Sequence, residues 1–340
     1  MKALNTVAMT PPNFATEFVA NAVAEQFGLA GDYTSLVSER DQNFCLKTAH
    51  DGCYLVKVTS PSESPATTEF QIAALRHLEK CGFNGVPRNV QTASGDDRAE
   101  IRADDGSSLC LRVLSWVSGT LLDAAEIRAE IASQLGHRLA ALDGALEGLV
   151  PSGDSQASLW DTQRAGQLRR LLVHVDDLHT RKHVETVLDD FEELVVPVLE
   201  SMPRQAIHND AHSENILLDS NGDVSGIIDF GDLLMAPRII EVSTAAAYLR
   251  PVGDDLLQLI VPFVAGYHGV RPLVASEYNI LFDLIRTRLA MTVILFHWRL
   301  SACDKTDPYL QKQMDSEGSA FTFLQRISDF GEDRFRQSLL

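Results

Sequence analysis

Hydrophobic positions in the first third of the chain change from a helical spacing to an alternating one. Apolar residues at helical spacing predict amphipathic helices over 13–27 and 66–80, with Asn13 as a plausible N-cap and Gly28 as a stop for the first. A period of two predicts strands over 33–38, 43–48, 53–59, 98–102 and 109–116. The first part of the chain is therefore predicted to form a five-stranded antiparallel sheet that carries a helix.

From about Gly119 the apolar pattern becomes mainly helical. Helices are predicted over 123–147, 160–181, 183–200, 239–249, 254–268, 276–300 and 308–328. One pair of strands, 215–219 and 224–230, interrupts them around an Asn-Gly turn and predicts a hairpin. The fold class is therefore α+β in two lobes, a small β-rich lobe over 1–117 and a larger helical lobe over 118–340. Clefts between lobes commonly bind small ligands.

Charge and composition narrow the class of protein. The 340 residues include 29 Lys plus Arg against 47 Asp plus Glu, for a formal net charge of −18. This balance argues against partners that carry phosphate backbones or anionic lipid surfaces, so neither a nucleic acid nor a membrane is expected. No apolar run suggests a membrane span or a signal peptide. Five cysteines without a CxxC pair indicate reduced thiols and a cytoplasmic protein.

The most informative stretch runs from His208 to Asp232. It begins His-Asn-Asp-Ala-His-Ser-Glu-Asn, enters the predicted hairpin, and ends Ile-Ile-Asp-Phe-Gly-Asp. Because the two ends of a tight hairpin lie side by side, Asp210, Asn215 and Asp229 are expected to come together. Carboxylate and amide oxygens favour a hard cation such as Mg²⁺. Phosphoryl transfer uses such a cation to neutralise nucleotide phosphates, with a separate carboxylate to position the attacking hydroxyl.

Two other interpretations of this stretch deserve comparison. It could be a metal-free acidic loop, or a metallohydrolase cluster built on His208, Asp210 and His212. The first leaves Asn215 and the Ile-Ile-Asp-Phe-Gly strand end unexplained, and the second needs further histidine ligands that the sequence does not place. The phosphotransferase interpretation accounts for all of these residues.

The motif Asp210-x-His212-x-x-Asn215, followed by Ile-Asp229-Phe-Gly-Asp232, resembles the aminoglycoside phosphotransferase and choline kinase-like family over roughly residues 30–300. The resemblance implies a protein-kinase-like fold, with a nucleotide-binding lobe over 1–117 and a lobe over 118–340 that carries the catalytic loop and the substrate site. It also implies that Asp210 is the catalytic base, that Asn215 and Asp229 hold Mg²⁺, and that His208 supports the loop. Residues 38–44 and 230–232 look most like hydroxylysine kinase-type enzymes.

The chain departs from the family pattern at two places. Asn209 stands where the family usually has glycine before the catalytic Asp, and asparagine tolerates a left-handed backbone better than most residues. The predicted phosphate-covering turn over 38–43 contains no glycine. Its backbone, or side chains that include Ser38 and Arg40, is therefore expected to meet the phosphates.

Lys57 is the candidate for holding the nucleotide phosphates. It shares a strand face with apolar neighbours, and a lysine in such surroundings needs an anion. Glu69 on the following helix is the preferred partner and Glu63 the weaker choice, which would give the Lys–Glu pair of the kinase layout. The backbone at Ser115 and Val117 is expected to hydrogen-bond the purine.

The distribution of charge suggests candidate residues for binding the substrate. Residues 171–200 hold eight acidic side chains against two basic ones, a surplus that could steer an ammonium group or simply aid solubility. Asp232 and Glu241 are tentative substrate residues, with loop support and helix capping as their structural alternatives. An arginine among Arg286, Arg288 and Arg299 could recognise a carboxylate, although buried ion pairs are the commoner outcome.

The sequence thus predicts a kinase that transfers the γ-phosphate of Mg-ATP or Mg-GTP to a hydroxyl of an amine-containing metabolite. A hydroxylysine-like amino acid or an amino alcohol is preferred as acceptor, with an aminoglycoside, choline, ethanolamine or homoserine as alternatives. A catalytically silent nucleotide-binding module is the alternative from another class.

Overall fold

The computed structural model describes residues 11–50, 52–102, 106, 108–123, 127–151, 158–251, 253–302 and 308–339, with the side chains of 308–317 excepted. These residues form two compact units. Unit 1 contains the described residues up to Ser118, together with Pro151. Unit 2 contains the described residues of Gly119–Val150 and those from 158 onward. Antiparallel sheet in unit 1 and a larger helical unit 2 together make the protein-kinase-like α+β fold that the sequence predicts.

Unit 1 is built on one antiparallel sheet flanked by two helices. The elements are α1 (Thr16–Phe27), β1 (Gly31–Leu36), β2 (Gln42–Thr48), β3 (Cys53–Val58), α2 (Pro65–Lys80), β4 (Asn89–Val90), β5 (Ala99–Arg102) and β6 (Ser108–Ser115). The strand order is β1-β2-β3-β6-β4, and β5 also pairs with β6. The five predicted strands are present, and the short strand β4 is an addition that two residues could not signal by alternation.

The ends of the two helices follow local chemistry. Gly28 ends α1 as predicted, with a left-handed φ of +69° that glycine adopts without strain. Asn13 is not the N-cap, because α1 begins after Ala15, which supplies no side-chain hydrogen bond. Ser64 caps α2 by accepting the Thr67 N–H.

Unit 2 is mainly helical, with two small antiparallel strand groups. Its helices are α3 (Ala129–Leu146), α4 (Leu178–Asp190), α5 (Val196–Glu200), α6 (Ile239–Tyr248), α7 (Ile260–Val270), α8 (Ala275–Ala302), α9 (Pro308–Phe330) and α10 (Glu332–Leu339). Its strands are β7 (Thr120–Leu121), β8 (Gln205–Ile207), β9 (Ile216–Leu218), β10 (Val224–Ile227) and β11 (Leu234–Ala236). The strand orders are β10-β9-β7 and β11-β8, and the predicted hairpin is the β9–β10 pair.

The predicted helix over 160–181 is wrong. Thr162–His174 form tight 3₁₀ turns with a non-helical backbone at Arg164, and Asp177 starts a new helix by accepting the Thr180 N–H. Helix α8 packs against this segment and against α6 and α9, and apolar residues on all its sides are buried. No helix within the described ranges is both long and apolar enough to cross a membrane.

Candidate active site

The predicted catalytic loop, residues 208–215, lies between two strand pairs of unit 2. Strand β8 pairs with β11, and the chain after β8 runs through residues 208–215 into β9, which pairs with β10. The register places Ile216 opposite Ile227, and the Ile228 N–H donates to the carbonyl oxygen of Asn215 at 2.9 Å. Both ends of the hairpin are thereby held together, as the sequence predicts.

The His208 side chain holds the loop in place. It is fully buried, its Nε2 contacts the Ile228 carbonyl oxygen at 3.0 Å, and its Nδ1 accepts the Asp210 N–H at 3.3 Å. The ring also packs edge-on against Phe230. Both ring nitrogens of His208 thus have protein partners, and no cluster of three His, Cys, Asp or Glu side chains suited to a metal occurs among the described residues. This arrangement gives no support to the metallohydrolase interpretation.

Asp210 lies within a network of polar groups. Asn215 Nδ2 donates to its Oδ2 and to its carbonyl oxygen, both at 2.9 Å, and His212 Nε2 lies 3.4 Å from Oδ2. Burial acts to raise the pKa of the Asp210 carboxyl, but His212 and Arg288 outweigh it and lower that pKa. Burial likewise acts to lower the pKa of His212, and Asp210 outweighs it and raises that pKa. Asp210 keeps 20% of its side chain exposed, so an anionic carboxylate remains accessible.

Asp229 is presented on a strained turn. Asn209 and Asp229 are the two non-glycine residues of the described chain with positive φ, at +64° and +60°. The Asp229 carboxylate is exposed and accepts the Gly231 N–H at 3.0 Å. An exposed carboxylate and the Asn215 amide, tethered by the Ile228–Asn215 hydrogen bond, offer the oxygen donors that a hard divalent cation takes. These residues fit a metal site of the kind the sequence predicts.

The Glu241 side chain is buried against the loop over 208–215. It is fully buried, and its Oε2 accepts the Asn209 N–H at 2.9 Å. This contact supports the left-handed backbone at Asn209, whose Nδ2 also donates to the Trp160 carbonyl oxygen. The tentative substrate assignment of Glu241 is corrected to support of the loop. Asp232 is half-buried, and its Oδ1 accepts a hydrogen bond from the Ser158 hydroxyl at 3.2 Å.

In unit 1, the partner of Lys57 differs from the one expected. The Lys57 ammonium lies 2.7 Å from Asp41 Oδ2, with both side chains buried, and Asp41 also accepts the Ser60 N–H at 2.8 Å. Burial acts to raise the pKa of Asp41, but Lys57 outweighs it and the pKa is lowered. Glu69 instead pairs with Arg98 at 2.8 Å. The predicted Lys57–Glu69 ion pair is therefore wrong.

Glu63, the weaker choice, accepts hydrogen bonds from Thr68 and Gln71. Gln71 in turn accepts one from the buried Arg112, which lies opposite Lys57 in the β3–β6 register. Asp41 was not predicted, although its position just before a strand that pairs with β3 is a signal that could have found it.

The other predicted nucleotide residues are placed as follows. Ser38 and Arg40 are half-buried in the irregular segment between β1 and β2 that Asp41 anchors. Ser115 ends β6, and its N–H already donates to the Arg88 carbonyl oxygen at 2.9 Å, so this amide is engaged within the protein. Val117 lies two residues beyond the strand end and is half-buried.

Five of the eight acidic residues over 171–200 make contacts within unit 2. Arg169 pairs with Asp189 and Glu192 at 2.7 and 3.1 Å and with Glu185 at 3.9 Å. Asp190 pairs with Arg286 on α8, and Asp177 caps α4. These contacts favour the structural alternative over recognition of a substrate amine for these carboxylates, and they assign Arg286 to an internal ion pair.

Asp143 and Glu241 form a buried carboxyl pair whose proton content should control the pH dependence of stability. Tyr267 donates to Asp143 Oδ2 at 2.5 Å, and Asp143 is fully buried. Burial, and then the charge of Glu241, raise the pKa of Asp143 well above its usual value. When the pKa of a carboxyl is higher in the folded than in the unfolded protein, it adds to the free energy of unfolding at low pH. For Asp143 this contribution is complete below the unfolded-state pKa of about 3.9 and is lost as the pH rises through the folded-state pKa.

Asp143→Asn is expected to flatten this decline by up to about 1.4 kcal/mol per pH unit within that window. Urea unfolding followed by tryptophan fluorescence between pH 4 and pH 9 measures it. Because an amide does not reproduce every contact of a carboxylic acid, the slopes are compared rather than the absolute stabilities. Equal slopes in the two proteins would contradict a raised pKa of Asp143 in the folded protein.

A two-unit kinase-like fold, with an Asp–Asn loop and a hairpin Asp, defines a phosphotransferase that acts on a hydroxyl group. Residues 33–273 match the Phosphotransferase enzyme family, and the chain belongs to that family. The predicted resemblance to aminoglycoside phosphotransferases is thereby confirmed.

Two similar proteins are hydroxylysine kinases. The one from Xenopus laevis is 26% identical, over 88% of this chain and 85% of the relative. The one from Bos taurus is 27% identical, over 95% of this chain and 92% of the relative. Among solved structures, amicoumacin kinase in complex with AMP-PNP, Ca²⁺ and Ami has a TM-score of 0.69 at 16% identity, covering 93% of this chain and 94% of the other. This last likeness concerns the fold.

Proposed function

We propose that the chain transfers the γ-phosphate of Mg-ATP or Mg-GTP to a hydroxyl of an amine-containing metabolite, a hydroxylysine-like amino acid or an amino alcohol. The observation that carries the proposal is the partly exposed Asp210 carboxylate, held by Asn215 on the hairpin that ends at Asp229. The similarity to hydroxylysine kinases supports the choice of acceptor.

The roles of the residues in unit 2 follow from their chemistry. Asp210, a weak base because its pKa is lowered, would accept a hydrogen bond from the acceptor hydroxyl and orient it for attack. Asn215 and Asp229 would hold Mg²⁺, which neutralises charge on the nucleotide phosphates when bound. His208 and Glu241 would keep the loop in place, and Asp232 stays the candidate for binding the acceptor amine.

In unit 1, Lys57 is the proposed ligand of the phosphates that are not transferred, with Asp41 holding its ammonium in position. Ser38 and Arg40 are proposed to contact phosphate, and the backbone near Val117 to contact the purine. A cytoplasmic location is also proposed, in keeping with the free thiols of Cys45, Cys53, Cys81 and Cys110.

A coupled assay of nucleoside diphosphate release tests the proposal. ATP and GTP are each combined with hydroxylysine, homoserine, ethanolamine, choline, 1-aminopropan-2-ol and an aminoglycoside, with glycerol as the amine-free control. We expect at least one amine-containing alcohol to be phosphorylated with a kcat/KM roughly 100-fold or more above that for glycerol. Calorimetric binding of Mg-nucleotide without turnover of any acceptor would instead favour the catalytically silent module.

A further inference from the structure

Three arginines surround two aromatic rings beside the catalytic loop of unit 2. The guanidinium carbon of Arg288 lies 4.7 Å from the ring centroid of Trp160 and 5.8 Å from that of Tyr248. The guanidinium carbon of Arg250 lies 5.4 Å from the Tyr248 centroid, and that of Arg299 lies 5.7 Å from the Trp160 centroid. We call these five residues the arginine cluster.

The arginine cluster borders the catalytic base. Arg288 Nη2 lies 3.8 Å from Asp210 Oδ1. The ring of Tyr248 lies 5.3 Å from the ring of His212, measured between centroids, so Tyr248 contacts both His212 and Arg250. Tyr248 thus links Arg250 to the two residues that flank Asp210, His212 and Arg288.

The cluster concentrates positive charge in a protein with a formal net charge of −18. Arg288 is 1% exposed, and its buried Nε has no hydrogen-bond partner within the described part of the chain. Burial, with a further contribution from the charge of Arg288, lowers the pKa of Arg250 to about 10. Guanidinium groups gathered in partly desolvated surroundings are stabilised by a nearby anion.

The three arginines differ in their access to a ligand. Arg288 and Arg299 are buried, whereas Arg250 is half-buried. Arg250 Nε donates to the Ala247 carbonyl oxygen at 2.8 Å, which orients the guanidinium, and Arg288 is likewise held by the Trp160 carbonyl oxygen at 2.7 Å. A planar guanidinium with a fixed orientation matches the geometry of a carboxylate, which accepts two parallel hydrogen bonds.

We propose that Arg250, backed by the buried charge of Arg288, binds a carboxylate of the phosphate acceptor. This inference rests on the proposed function and narrows it: the acceptor is a hydroxy amino acid rather than an amino alcohol without a carboxylate. Arg250 is then the residue that determines specificity, while Asp210 serves the hydroxyl.

Matched pairs of acceptors test the proposal, because each hydroxy amino acid is compared with its own decarboxylated form. The pairs are hydroxylysine with 1,5-diaminopentan-2-ol, homoserine with 3-aminopropan-1-ol, threonine with 1-aminopropan-2-ol, and serine with ethanolamine. For the pair that is turned over best, we expect kcat/KM to favour the acid by roughly 10- to 100-fold, the size of one hydrogen-bonded charge contact.

Arg250→Gln is expected to erase this preference by raising KM for the acid, while kcat/KM for the decarboxylated partner stays within about threefold of wild type. Arg250→Lys, which keeps the charge but loses the two parallel N–H donors of the guanidinium, should recover part of the preference. Arg204→Gln is the matched control, since Arg204 also donates to a backbone carbonyl, that of Met235, and lies outside the arginine cluster. Thermal unfolding of each variant checks that it is folded.

Equal use of both members of a pair, or equal losses on both in Arg250→Gln, would overturn the carboxylate site and leave the proposed kinase activity intact. Absence of turnover on every pair would defeat the proposed function instead. In that event, calorimetric titration with lysine and with cadaverine, in the presence of Mg-AMP-PNP, tests the site without turnover. Lysine binding that Arg250→Gln abolishes supports the site, and absent or cadaverine-like binding of lysine overturns it.

Discussion

Asp210→Asn is expected to lower kcat by roughly 10²- to 10⁴-fold while the affinity for Mg-nucleotide stays close to that of wild type. The amide keeps the shape of the side chain and an oxygen that can accept the hydrogen bond from Asn215. It removes the negative charge and the proton acceptor for the attacking hydroxyl. Turnover with the best acceptor and calorimetric titration of Mg-nucleotide measure the two effects separately.

The matched control for this variant is Asp219→Asn, on the turn of the same hairpin. Asp219 is exposed, and its carboxylate accepts the N–H groups of Asn221 and Asp223, so an amide can replace it with little disturbance. Wild-type turnover is expected there. If Asp210→Asn lost nucleotide binding along with turnover, the assignment of Asp210 as the base would be wrong.

Asp229→Asn is expected to lower kcat/KM by roughly 10²- to 10³-fold, because a divalent cation held there would lose several kcal/mol of charge stabilisation with the carboxylate. Asparagine tolerates the left-handed backbone found at position 229, and its side-chain oxygen can still accept the Gly231 N–H. The turn should therefore keep its shape, and the loss is assigned to the charge.

A titration of Mg²⁺ at fixed nucleotide measures this effect directly. The Mg²⁺ concentration needed for half-maximal nucleotide binding should rise in Asp229→Asn and stay unchanged in Asp219→Asn. An unchanged Mg²⁺ requirement in Asp229→Asn would remove Asp229 from the metal site, whatever the effect on turnover.

Elements with a strong local pattern were predicted well. The alternation in β1, β2, β3, β5 and β6 and the turn between β9 and β10 depend on neighbours close in sequence, and all are present. The prediction of one helix over 160–181 failed because a helical spacing of apolar residues does not reveal that Asp177 starts a separate helix. Strands of two or three residues, such as β7 and β8, are too short to show a period.

The candidate site likewise has one part that the sequence predicts and one part that it does not. The proximity of the two hairpin ends was predictable, because Asp210 and Asn215 precede β9, Asp229 follows β10, and the pairing of these strands joins their ends. The anion beside Lys57 was not predictable with certainty, because Asp41 and Glu69 both lie within reach in sequence. Pairing of β2 with β3 places Asp41 beside the Lys57 ammonium, and Glu69 forms an ion pair with Arg98 instead.

By itself, the sequence determined the fold class, the hairpin and the residues available for phosphoryl transfer, since hydrophobic period and turn chemistry act over short distances. Tertiary structure alone decided which partners two carboxylates take: Glu241 accepts the Asn209 N–H, and Asp210 lies beside Arg288. These partners are far apart in sequence. A buried charge takes the partner that helix packing brings within a few ångströms, and no local pattern records that choice.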